Sequence, residues 1–258
     1  MIGQLTPDDL DVVRVGTGPP VLLVHGSVVD ARRTWRKQIE GLSGEWSLCL
    51  PNRPGFAGSP RIPRGDFDIE APLIAPFLGD GAHLVGHSYG AVMALVIAAE
   101  RPEAVRSLTL SEPGCWEIAA DHPEVARMME FGNHLYGQAK DLPPREFLAL
   151  FREGVHSANH TPEELPDWME QGARLVMNER PPWGGSHDLE TIAAASFPKL
   201  VISGGHMDAF EITCDVLAER IGARREIIRG RDHTIPSTGA PYNELVSGFL
   251  EEAERGRG

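Results

Sequence analysis

Residues 82–100, AHLVGHSYGAVMALVIAAE, lead a strand-like apolar run into Gly86-His87-Ser88-Tyr89-Gly90 and out again into a helix-like one. This is a G-x-S-x-G pattern placed where such a turn belongs, after a strand and before a helix. A turn this sharp strains the backbone of its central residue and leaves no room for side chains two positions to either side, so glycine serves at both. The Ser88 hydroxyl is thereby lifted above the sheet edge at a helix N-terminus, where unpaired N–H groups and the helix dipole favour developing negative charge. The chemistry expected is nucleophilic attack by serine. A serine hydroxyl is a weak nucleophile, so a base and an orienting acid are required. His233, in IIRGRDHTIP, is the candidate base, and Asp208, in LVISGGHMDAF, is the expected acid. Glu112, in LTLSEPG, is the alternative acid. The negative oxygen formed on attack would need two N–H donors. Tyr89, next to the nucleophile, and Ser27, in His25-Gly26-Ser27-Val28, are expected to supply them. His25 reads as structural, its ring bonded to loop backbone.

These residues need a scaffold that brings distant segments to one edge. Val21–Val24, Ser47–Leu50, His83–Val85, Val105–Leu110, Leu200–Ser203 and Arg225–Ile228 are short apolar or β-branched runs ending at turn residues, and they predict strands. Helical patterns lie between and after them at Ala31–Leu42, Ala71–Leu78, Tyr89–Glu100, Phe210–Ile221 and from Tyr242 to about Glu254. This alternation predicts an α/β fold, a largely parallel sheet with helices on both faces. His233 and Asp208 then follow carboxyl ends of strands at the same edge as Ser88, where open parallel sheets bind ligands. The alternation fails between about Pro113 and Ala194, a proline-rich span with helix-like pieces at His122–Gln138, Pro144–Gly154 and Glu163–Met177. We therefore expect a core domain of residues 1–112 and 192–258 with a helical cap inserted over 113–191.

The chain of 258 residues, 41% hydrophobic, can bury a sizeable core. A net charge of −13, with 24 scattered Lys and Arg, argues against a nucleic-acid partner. No apolar run reaches the roughly 18 residues of a membrane span, and no signal-like start is present, which predicts a cytoplasmic protein acting on a small molecule. A homodimer is compatible with these features. Cys49, Cys115 and Cys214 are widely spaced and read as free thiols. His156 and His160 share one helical face but lack a third ligand nearby, so no metal site is expected.

The chain resembles the α/β-hydrolase superfamily over nearly all its length outside 113–194. The likeness rests on Leu23-Val24-His25-Gly26, on PNRPGFAGS at 51–59, on the serine pentapeptide, on Gly205-His206-Met207-Asp208 and on Gly230-Arg231-Asp232-His233. The resemblance implies an eight-stranded, mostly parallel sheet with a helical lid after the sixth strand, and no cofactor. The abbreviated segment before Val21 leaves seven strands open. It also implies Ser88 as nucleophile, His233 as base and Asp208 as acid, with the N–H groups of Ser27 and Tyr89 as oxyanion hole; Gly205-His206-Met207-Asp208 matches the usual acid loop. Some members take the acid from the strand end where Glu112 lies. Serine at 88 disfavours epoxide hydrolase and haloalkane dehalogenase chemistry, which use Asp there. The expected activity is hydrolysis of an ester or lactone of a small, largely apolar substrate through an acyl-enzyme. Carbon–carbon bond hydrolysis, a cofactor-free peroxidase-like esterase, and a non-enzymatic small-ligand sensor are the alternatives. The aromatic- and Met-rich insertion suggests a roof over an apolar pocket, with Val28, Trp116, Met129, Phe131 and Trp183 as expected substrate contacts.

Overall fold

The computed structural model describes residues 5–155 and 160–257. Seven strands form one sheet: β1 (Val12–Val15), β2 (Pro20–Val24), β3 (Ser47–Pro51), β4 (Ala82–His87), β5 (Val105–Ser111), β6 (Lys199–Ser203) and β7 (Arg224–Ile227). Their order is β1-β3-β2-β4-β5-β6-β7, and all neighbours run parallel except the edge pair β1 and β3. The sheet therefore has seven strands among the described residues, the lower of the two numbers left open by the sequence. β1 is the strand that the apolar-run reading did not list; its VVRV is half-buried at the edge, so its signal is weak.

The helices are α1 (Ala31–Thr34), α2 (Arg36–Leu42), α3 (Phe67–Ile74), α4 (Tyr89–Glu100), α5 (Pro123–Gly137), α6 (Pro144–Gly154), α7 (Asp167–Val176), α8 (Leu189–Ala194), α9 (Asp208–Ile221) and α10 (Ala240–Arg255). Residues of α3, α4, α8 and α9 bury one sheet face, and those of α1, α2 and α10 the other. The central strands are covered on both sides, which is why β4 is buried along its whole length and reads as a continuous apolar run. α4 matches the sequence expectation residue for residue, because it too is buried nearly all round.

Between β5 and β6 the chain is helical, as α5, α6 and α7, so the insertion follows the fifth strand of this sheet and not the sixth. It also ends earlier than residue 191. Leu189 and Ile192 of α8 are buried in the core cluster with α4 and α9, so α8 is part of the sheet's helical layer. The insertion is anchored to the core by close contacts. Gly172 of α7 lies on the backbone of Val28, where a Cβ would come within 1.9 Å of the Val28 carbonyl oxygen. Trp116, near the start of the insertion, meets Phe210 of α9 edge-on with ring centroids 5.5 Å apart.

The turn between β4 and α4 shows why its glycines are required. A Cβ at Gly86 would meet the Gly90 carbonyl oxygen at 2.5 Å, and one at Gly90 would meet that of Val24 at 2.2 Å. Both obstacles are backbone, of α4 and of the central strand β2, and cannot move aside. Gly90→Ala should therefore destabilise the protein by about 1–3 kcal/mol, the range for overpacking. Urea denaturation measures this, and an unchanged midpoint would contradict the packing described.

Candidate active site

Ser88 sits at the apex of the β4–α4 turn with φ +55° and ψ −123°, a backbone region that L-residues rarely occupy. Its N–H is tied to the Ser111 carbonyl at 2.9 Å, while its carbonyl caps α4 by accepting from Ala91 and Val92. The strained residue is thus held from both sides, and its side chain is left to point upward. Ser88 Oγ lies 2.9 Å from His233 Nε2. On the far side of the ring, His233 Nδ1 lies 2.7 Å from Glu112 Oε2. With Nδ1–H donating to the carboxylate, Nε2 keeps its lone pair toward the serine hydroxyl.

The carboxylate on the imidazole is therefore Glu112, and the expectation of Asp208 is corrected. Asp208 opens α9 with an exposed side chain and is not a partner of His233. Its glycine-rich approach resembles an acid loop, yet the residue is taken up as the first of a helix. Glu112 directly follows β5 at φ +45°, with its N–H bonded to the Ile202 carbonyl of β6 at 2.9 Å. That strained turn brings the fully buried carboxylate under the His233 loop. Its other oxygen, Oε1, accepts the Gly204 N–H at 2.7 Å and pairs with His206 Nδ1 at 3.2 Å. Burial opposes the charge, but the His206 and His233 contacts outweigh it and hold the Glu112 carboxyl down to about 2. His206 is affected in the opposite sense: burial lowers its pKa, the Glu112 carboxylate raises it, and the net shift is upward. Its Nε2 faces the Val155 carbonyl at 3.3 Å.

One histidine beside the site, His87, has a supporting position that the motif reading did not assign. His87 Nε2–H donates to the His233 carbonyl at 2.8 Å, fixing the loop that presents the imidazole. Burial, reinforced by nearby His233, depresses the His87 pKa to about 4, so it stays neutral and keeps donating. Phe210 stacks on the His233 ring, centroids 4.7 Å apart. The position of His25 agrees with a structural role: its ring lies 2.9 Å from the Gly26 carbonyl and accepts the Arg53 N–H at 3.0 Å.

Ser27 and Tyr89 flank Ser88 in one cavity. Among the described residues no acceptor takes the backbone N–H of either. The loop carrying Ser27 is braced from below by a buried ionic cluster. Arg53 donates to both Glu70 oxygens at 2.8 and 3.1 Å, to Glu179 Oε1 at 2.7 Å and to the Gly26 carbonyl at 3.0 Å. The second Glu179 oxygen accepts from the Ser27 hydroxyl at 2.5 Å. The Arg53 guanidinium also covers the Tyr89 ring at 4.2 Å. Arg53, Glu70 and Glu179 are all at most 3% exposed.

Of the expected substrate contacts, Trp116, Phe131 and Trp183 line a narrow cavity over Ser88 and Val28 lines a wider one beside it. Met129 lines neither. α5 turns Met128, Phe131, Gly132 and Leu135 toward the narrow cavity, a stripe at i, i+3, i+4 and i+7 that excludes residue 129. Among the described residues no group of three His, Cys, Asp or Glu could hold a metal; His160 is exposed, and His156 lies outside the described residues.

A family model for the alpha/beta hydrolase fold matches residues 19–153, just over half the chain. The chain belongs to the alpha/beta hydrolase family. It is 28% identical over 165 residues to a pimeloyl-[acyl-carrier protein] methyl ester esterase of Aeromonas hydrophila, covering 62% of this chain and 64% of that one. It is 36% identical over 105 residues to a 2-hydroxy-6-oxo-2,4-heptadienoate hydrolase of Pseudomonas putida, covering 37% and 38%. The match thus spans under two thirds of these curated relatives. Among solved structures, an alpha/beta hydrolase from Sphaerobacter thermophilus superposes with TM-score 0.68 at 23% identity, covering 93% of this chain and 96% of that one, and shows the shared fold. No described helix is long and apolar enough to cross a membrane.

Two measurements check this geometry. A carboxyl held near 2 in the fold, against its ordinary 4.5, contributes stability that is complete above 4.5 and is lost as pH falls toward 2. Glu112→Gln should therefore show a flatter fall of urea midpoint between pH 4.5 and 2, and an unchanged slope would contradict the bonding at Glu112. In the ionic cluster, Arg53→Met leaves two buried carboxylates without their cation and should cost about 3–5 kcal/mol. Glu179→Gln leaves the Arg53–Glu70 pair intact and should cost less; the reverse order in chemical denaturation would refute the brace.

Proposed function

We propose that this chain is a serine hydrolase of the ester-cleaving type, acting on an ester or lactone of a small molecule through an acyl-enzyme. The observation that carries this reading is the continuous line from Ser88 Oγ to His233 Nε2 at 2.9 Å and from His233 Nδ1 to Glu112 at 2.7 Å. His233 takes the serine proton as Ser88 Oγ attacks the carbonyl carbon. The Glu112 carboxylate stabilises the imidazolium that results and holds the ring in the tautomer the reaction needs. The carbonyl oxygen becomes an oxyanion facing the N–H groups of Ser27 and Tyr89. His233 returns the proton to the departing alkoxide as the C–O bond breaks, and water, activated in the same way, releases the acid. Methyl ester esterase activity in the Aeromonas relative supports this reading. Hydrolysis of a carbon–carbon bond is the second reading, supported by the Pseudomonas relative.

The helical insertion acts as a cap in this proposal. The narrow cavity takes its floor from Ser88 and His233 and its roof from Met128, Phe131 and Leu135. Apart from Ser27, Tyr89, Tyr136 and the reacting pair its lining is largely apolar, which suits an apolar arm of the substrate.

On p-nitrophenyl butyrate we expect steady turnover, with Ser88→Ala reducing it by about a million-fold and abolishing fluorophosphonate labelling. Glu112→Gln should cost on the order of 10⁴ in kcat through a misoriented His233. Asp208→Asn should stay close to the parent protein. A label that persists on Ser88→Ala would remove the nucleophile assignment, and a single burst without turnover would favour a ligand sensor.

A further inference from the structure

The narrow cavity is only one of two that meet at the reacting pair. Ser27, Ser88, Phe151, Val155 and His233 line both, so the hydroxyl sits at their junction. The second cavity is much larger, about 340 Å³, and its chemistry differs. Among the described residues its wall contains Arg33 and Arg152 and no aspartate or glutamate. In a chain of net charge −13, with 37 acidic residues, such a lining departs from the composition of the rest of the chain.

The two arginines are not equivalent. Arg33 is ion-paired with Asp30, and its guanidinium lies over the Trp168 ring at 4.7 Å, so its charge is already balanced. Among the described residues Arg152, in the last turn of α6, bonds only neutral acceptors: the His160 carbonyl at 2.9 Å, the Thr161 hydroxyl at 3.3 Å and the Met169 sulfur at 3.7 Å. Among the described residues it has no carboxylate partner, although its side chain is partly removed from water. A half-buried cation held only by neutral acceptors bears a desolvation cost that those bonds offset in part. It also lies in sequence between Phe151 and Val155, the two α6-end residues shared by both cavities.

We propose that the wider cavity is an anion subsite and that Arg152 determines specificity there. The substrate class is then an ester with one apolar arm, seated in the narrow cavity, and a second arm ending in a carboxylate that meets the Arg152 guanidinium. This rests on the serine hydrolase reading above and extends it from bond type to substrate class. Recognition is short-range: the net negative charge of the chain repels an anion at a distance, and the charge-assisted hydrogen bond acts only once the ester is bound.

The test compares matched esters that differ only in charge. 4-(Butyryloxy)butanoate is paired with 4-(butyryloxy)butanamide, placing the anion on the alcohol side. Monobutyl glutarate is paired with its carboxamide, placing it on the acyl side. In at least one pair the carboxylate should exceed the amide in kcat/KM by on the order of 10- to 100-fold, the worth of a charge-assisted hydrogen bond, with the difference mainly in KM. Arg152→Gln should bring that ratio toward one, and Arg152→Lys, which keeps the charge, should retain part of it. The proposal is overturned if neither pair favours the carboxylate. It is equally overturned if Arg152→Gln lowers both members of a pair alike, since that is a packing effect. Turnover of the amides and fluorophosphonate labelling of Ser88 report the serine chemistry separately, so failure of the anion subsite is distinguishable from failure of the hydrolase reading.

Discussion

The Glu112 carboxylate is the point on which the site's geometry converges. A buried charge persists only if its lone pairs are filled, and this one is filled by groups from two parts of the chain: the Gly204 N–H and His206, both in the loop after β6, and His233, more than a hundred residues downstream of Glu112. Each partner is therefore fixed relative to the others by the need of one anion. The cost includes a glutamate at positive φ, tolerated because the strand partner β6 holds its backbone N–H. His87 completes the arrangement by gripping the His233 carbonyl from the β4 side. The imidazole is thus clamped from the strand that carries Ser88 and from the strand that carries Glu112.

A second buried anion system works on the opposite side of Ser88. Arg53, after β3, gathers Glu70 from α3 and Glu179 from the far end of the insertion, and the same guanidinium holds the Gly26 carbonyl. Glu179 reaches on to the Ser27 hydroxyl. The loop expected to supply one oxyanion donor is therefore tied both to the core and to the insertion. Because two carboxylates face one cation, burial raises the Glu70 pKa even with Arg53 alongside, and the cluster is held by geometry as much as by charge balance. This couples the roof of the cavity to the donor loop beneath it: a shift of the chain at Glu179 would be felt at Ser27.

The division of the space above Ser88 into two cavities follows from where the insertion touches the core. α5 presents one stripe of apolar side chains over the reacting pair, whereas the end of α6 and the start of α7 enclose a wider space bordered by arginine. Val28, at φ +71°, lies under α7 with Gly172 pressed on its backbone, so the wall of the wider cavity is built from the same contact that seats the insertion.

What the sequence alone determined is what local chemistry determines. The serine turn was legible because only a Gly-x-Ser-x-Gly segment between an apolar strand and an apolar helix relieves those steric demands, and the parallel sheet was legible because fully buried strands are short, apolar and turn-bounded. His233 was legible from its place after the last strand. Tertiary structure alone decided which carboxylate the His233 imidazole meets. Asp208 and Glu112 both follow strand ends at the right edge, and nothing in either segment says which carboxylate the His233 loop will meet. The choice depends on a strained turn after β5 and on donors brought together from two loops far from it in the chain, at Gly204 and His206 and at His233. The same holds for the brace around Arg53, whose partners lie 17 and 126 residues away, and for Met129, excluded from the cavity by the rotation of one helix. Side-chain periodicity tells which residues are buried; which buried charges meet is settled only when the chain is packed.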